Sequence, residues 1–98
     1  MSRIELAPEV AEDLERILDH LAQYEVKYRA ARIGEIIQAI NILEHNPLIG
    51  RPAPGEMNER VIGRRTHGYI ALYRYVAVID TVFVLAIRSQ REAGYVRG

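Results

Sequence analysis

The hydrophobic pattern of this chain changes period once, and that change constrains the fold more than any motif does. Up to residue 46, apolar residues recur at offsets of three and four; beyond residue 60 they alternate or run together. The first spacing draws an apolar stripe down a helix, and the second belongs to strands. Ninety-eight residues make one domain with a small core. Helices followed by strands in a single domain over residues 1–98 predict an α+β protein, with its helices on one face of a small sheet.

The helical half reads as two elements. Val10, Leu14, Ile17, Leu18 and Leu21 form one stripe, and Ile33, Ile36, Ile37, Ile40 and Leu43 form another. Pro8 suits the first helical position, and Glu9, Glu12 and Asp13 suit the positive end of the helix dipole. Ala7 before them is a poor cap. Asn46-Pro47 predicts the end of the second helix, because the residue before proline avoids the helical region. Ahead of both, Arg3–Leu6 alternates and predicts a short strand. The helices are adjacent and similar in length, so an antiparallel hairpin packed on the sheet is expected.

Residues 47–59 contain three prolines and two glycines and read as a loop. Strands are expected at 60–65, 69–76 and 82–88, joined in a meander with a turn around Asp80. In the second of these, Tyr69, Ala71, Tyr73 and Tyr75 share one face, while Ile70, Leu72, Arg74 and Val76 share the other. Val82–Arg88 is almost wholly apolar, which predicts the central and most buried strand. The sheet is expected to be small, curved and mainly antiparallel.

Composition narrows the chemistry. No cysteine is present, so disulfides, thiolate nucleophiles and cysteine-ligated metals are excluded. No apolar run is long enough to cross a bilayer, and the opening residues lack a signal-peptide pattern; a cytoplasmic protein is expected. Neither a paired-histidine metal motif nor a phosphate-binding glycine loop occurs, so no metal and no cofactor are expected.

A net charge of zero conceals an asymmetry: residues 1–49 carry five Lys/Arg against nine Asp/Glu, and residues 50–98 carry eight arginines against four acids. The second half can therefore present a cationic surface to an anionic partner. Its candidate binding residues are Arg60, Arg64, Arg74, Arg88 and Arg91, whose planar guanidinium forks suit phosphates and carboxylates. A metal-free nuclease needs cations to stabilise the phosphate and a group to move a proton. Arg60 or Arg65, Arg88, His67 and Tyr95 are candidates for such a set, with Glu92 the nearest acid in sequence to serve as base. The competing reading is that Arg88 simply pairs with Glu92 and that Tyr95 packs near a chain end.

Ala11-Glu12-Asp13-Leu14-Glu15-Arg16-Ile17 resembles the first-helix signature of the RelE/ParE toxins of type II toxin–antitoxin modules, also called plasmid stabilisation proteins. Leu43-Glu44-His45-Asn46-Pro47-Leu48-Ile49-Gly50-Arg51 resembles that family's helix end. Glu59-Arg60-Val61, Tyr69–Tyr75 and Val84–Arg91 are similar to its last three strands and tail. The resemblance implies the RelE-like fold and a cognate antitoxin protein as partner. It also implies one of two targets. ParE-like members poison DNA gyrase, and the long hairpin and the helix-end element look closer to that branch. RelE-like members are endoribonucleases that cut mRNA on the ribosome; for them Arg65, Arg88 and Tyr95 become the catalytic candidates. A non-toxic protein that only binds an antitoxin is the third alternative.

Overall fold

The computed structural model describes residues 1–63, 68–92, 94 and 95. Strand β1 (Arg3–Leu6) leads into helix α1 (Pro8–Leu21), and helix α2 (Val26–Ile42) follows after a short turn. Four strands complete the fold: β2 (Arg51–Ala53), β3 (Met57–Ile62), β4 (Tyr69–Val76) and β5 (Thr81–Ser89), with a 3-10 turn at Ala77–Ile79 between the last two. They form one five-stranded sheet in the order β1-β5-β4-β3-β2. Only β1 runs parallel to its neighbour; the other pairs are antiparallel. The architecture is α+β, a helical hairpin on a mixed, mainly antiparallel sheet.

Four sequence expectations need correction. Part of the stretch read as loop is a hairpin, β2 and the start of β3, which reverses through Gly55 and Glu56, both with positive φ. Pro52 is tolerated because β2 is an edge strand, where a missing amide need not break a ladder. The strand expected at 60–65 therefore starts earlier and ends at Ile62. The second helix ends at Ile42, short of Asn46-Pro47, and the chain then tightens into turns, with the Asn46 amide bonded to the Ile42 carbonyl at 3.1 Å. Finally, β4 is the middle strand, and β5 lies between it and β1.

One face of the sheet carries the core. Tyr69, Ala71 and Tyr73 of β4 and Val82, Val84 and Ile87 of β5 meet Val10, Ile17 and Leu21 of α1 and Ile36, Ala39 and Ile40 of α2. The helical stripes are narrower than their sequences imply, since Leu18 and Ile37 are exposed. The inward positions of β5 skip from Val84 to Ile87, because a bulge shifts the register opposite Leu72 and Tyr73. Ile87 lies past the end of β1, whose pairing with β5 stops at Val84, and α1 takes up the amide left there. Asp13, buried in the core, accepts a hydrogen bond from the Ile87 amide at 2.9 Å and one from Arg16 at 3.0 Å. An acid suggested by sequence for the helix dipole is thus a lock between helix and sheet. No helix among the described residues is long and apolar enough to cross a membrane.

Candidate functional site

Strand register decides which charged residues meet. Arg51 is opposite Glu59, Glu59 is opposite Leu72, and Arg88 is opposite Ile70. Side chains alternate along a strand and match across a pair. Arg51, Glu59 and Arg88 therefore share the face turned away from the helices. Ile70 and Ala86, also on this face, are buried outside the main core.

The tail after β5 returns to this face. The Glu92 amide donates to the Ser89 carbonyl at 3.1 Å and closes a turn. Arg88 Nη1 donates to the main-chain oxygens of Glu92 at 2.9 Å and Ser89 at 3.2 Å. The Glu92 carboxylate accepts from the Ser89 amide at 2.6 Å and from Arg16 Nε at 2.9 Å. Held from both sides, the turn delivers Tyr95 to the sheet. Its hydroxyl donates to Glu59 Oε2 at 2.6 Å, and the Arg88 guanidinium stands 5.1 Å from its ring centre. The other oxygen of Glu59 accepts from Arg51 Nε at 3.1 Å.

This geometry sets the protonation states. The hydrogen bond from Tyr95, opposed by partial burial and reinforced by Arg51 and the charge of Arg88, holds the Glu59 carboxyl below its usual value. Burial, then the bond to Glu59, push the Tyr95 phenol well above its usual value despite Arg88. At neutral pH the cluster is one carboxylate, two guanidiniums and a protonated phenol. It can bind an anion through Arg51, which is largely exposed. It is a poor proton donor, because an acid catalyst works best with a pKa near the working pH.

The other sequence candidates are dispersed. Arg60 is opposite Ala71 and faces the helices, so the structure does not bring it to Arg88. Arg74 lies on the open face, exposed, with Glu56 3.8 Å away. Arg91 is exposed on the tail turn. Arg64, Arg65 and His67 lie outside the described residues. Arg88 does contact Glu92, but through its main-chain oxygen; the Glu92 carboxylate is committed to Arg16 and Ser89 and is no free base. Sequence reasoning passed over Arg51 and Glu59 as functional groups because it placed both in a loop. Their signal was charge alternation across the short hairpin. Among the described residues no group of His, Asp or Glu is arranged to hold a metal ion.

Two comparisons bear on this site. The family model described as ParE toxin of type II toxin-antitoxin system, parDE, matches residues 4–94. No curated protein matches the chain.

Proposed function

The chain belongs to the ParE toxin family of type II toxin–antitoxin systems, and on that premise we propose that it arrests growth by binding and poisoning DNA gyrase, with a cognate antitoxin as its inhibitor. The observation that carries a binding role over a cutting one is the Tyr95–Glu59 hydrogen bond. It ties up the tail phenol, whose pKa burial first and this bond second raise away from the range of a useful acid. The Arg88 Nη1 donor is likewise spent on two main-chain oxygens. What remains on the open face is a set of cations on rigid strands, a surface suited to an anionic or acidic partner.

A second reading, ribosome-dependent cleavage of mRNA, has one observation in its favour. Glu59 is an ionised carboxylate flanked by Arg51 and Arg88, a candidate base in place of the committed Glu92. Brief induction of the protein in bacteria, with pulse labelling of DNA and protein synthesis, separates the two. Gyrase poisoning requires DNA synthesis to fall first and Tyr95→Phe to remain toxic. An early fall in protein synthesis that Tyr95→Phe or Glu59→Gln abolishes would replace it with the nuclease. No growth effect at all would leave an antitoxin-binding protein without toxicity.

A further inference from the structure

The tyrosine hydroxyls of this fold are not all provided for. Those of Tyr73, Tyr75 and Tyr95 each have a hydrogen-bond partner, in the Gly50 amide, Asp80 and Glu59 respectively. Tyr69 is more deeply buried than Tyr95, at 6% exposure, yet its hydroxyl has no partner among the described residues. Burial raises its pKa above the usual value, so at neutral pH it is a protonated donor. A buried phenol normally finds an acceptor, and a donor left without one is costly.

Tyr69 lines a cavity of about 240 Å³ between the end of α1, the start of α2 and the tail turn. Ile17 and Leu21, both buried in the core, give this cavity an apolar lining. Tyr24 and Tyr28 add an aromatic wall, with ring centres 4.8 Å apart and planes tilted by 38°. The wall is fixed from behind, since the Tyr24 amide closes the turn after α1 on the Leu21 carbonyl at 2.9 Å. Arg16 and Glu92 stand at the rim and neutralise one another across 2.9 Å, and Arg16 also serves Asp13. Arg91, exposed at the same rim, has no acidic partner among the described residues. The cavity thus combines an aromatic wall, one buried donor and one unpaired cation.

We propose that this cavity binds a small planar aromatic acid, with its ring against Tyr24 and Tyr28, an acceptor on the Tyr69 hydroxyl and its carboxylate at the rim with Arg91. The orientation follows from the cost of burial. A neutral acceptor can enter and meet a single phenol, whereas a carboxylate taken in without a paired cation loses its hydration for too little return. The ring gains from apolar contact and from stacking or edge contacts with the two tyrosines. Drug-sized ligands occupy pockets of about 300–1,000 Å³, so this smaller cavity suits one or two rings. The cavity lies on the helix side of the sheet, apart from the Tyr95–Glu59 bond, and does not rest on the gyrase reading.

The test titrates the full chain with para-hydroxybenzoate and three relatives that each lack one feature. Benzoate lacks the inner acceptor, phenol lacks the carboxylate, and the saturated-ring counterpart lacks the aromatic face. The readout is the NMR signals of the tyrosine rings, which give both the place of binding and a Kd. Para-hydroxybenzoate should move the Tyr24, Tyr28 and Tyr69 signals and bind about fivefold tighter than benzoate, with phenol and the saturated acid weaker still. Tyr69→Phe, which removes no bond within the fold, should bind para-hydroxybenzoate and benzoate alike. Arg91→Gln should bring para-hydroxybenzoate down to the level of phenol, and Arg74→Gln should change nothing. A cavity that holds only water would respond to none of the four compounds at millimolar concentration, and that result would overturn the proposal. So would a preference for para-hydroxybenzoate that survives in Tyr69→Phe, or equal binding of the saturated acid.

Discussion

The two faces of the sheet each hold a carboxylate, and they hold it differently. On the helix side Asp13 is buried to 2% side-chain exposure, and its partners, the Ile87 amide and Arg16, come from β5 and from its own helix. On the open side Glu59 is 17% exposed, and one of its two partners is Tyr95, brought by the tail. Asp13 joins elements that cannot separate without unfolding. Glu59 joins a strand to the tail beyond β5, which belongs to neither the sheet nor the helices. The same bond type is therefore structural on one face and available for function on the other.

The sharpest way to break this contrast is Asp13→Ala. It leaves the Ile87 amide, past the end of β1, without its acceptor and removes one of the acceptors of Arg16. Stability should fall by about 3 kcal/mol in urea denaturation. A loss below about 1 kcal/mol would mean that the helix-side carboxylate is no more structural than Glu59. The apolar counterpart lies within α2. Ile36→Ala should cost about 2–3 kcal/mol by opening a cavity, whereas its exposed neighbour Ile37→Ala should change stability by less than about 0.5 kcal/mol.

These two isoleucines also show where the sequence stops being legible. Periodicity finds α2 and its inward side, but it cannot tell that Ile37 falls just outside the buried arc. Elements with a strong local signature were readable: Pro8 starts α1, and Val82–Ile87 marks an interior strand. The β2–β3 hairpin was not, because Pro52, Pro54 and Gly55 are loop residues that an edge strand and a tight reversal accept. Asp13 was misjudged because its role depends on β1 ending before it reaches Ile87, which no local pattern announces. The open-face site was half legible. Arg88 and Tyr95 were selected by type and position, but Glu59 reaches Tyr95 from 36 residues away, a contact made only by the return of the tail.

Tyr95→Phe probes that return. It removes one partly exposed hydrogen bond and should cost about 1 kcal/mol near neutral pH. The pH dependence gives its signature. Glu59 has a folded pKa below its ordinary value of 4.5, so its contribution is present above that pH and is lost as pH falls through the folded pKa. Tyr95 has a folded pKa raised above 10, so its contribution is present below pH 10 and is lost as pH rises through the raised value. Wild type should therefore exceed Tyr95→Phe in stability between these limits and converge with it in acid. Above pH 10 the wild type should lose stability that the phenylalanine variant keeps. Parallel curves across the whole range, from denaturation at a series of pH values, would show that the tail is not latched through this bond.

Arg74 should give the smallest effect on stability and the most informative one on function. Its contact with Glu56 is 3.8 Å long, between side chains 53% and 87% exposed, so water and salt screen most of the attraction. Arg74→Ala should keep the midpoint of denaturation within about 0.3 kcal/mol of wild type, with no added salt dependence. The fold gives this cation nothing to do, whereas Arg88 on the same face staples the tail. If the open face meets the target, Arg74→Ala weakens growth arrest without weakening the protein, a separation that Arg88→Ala cannot offer. If Arg74→Ala instead leaves growth arrest at the wild-type level, the target-binding cations are confined to the tail end of the sheet. The contrast between faces then narrows to one between Asp13 and the Arg51–Glu59–Tyr95–Arg88 cluster.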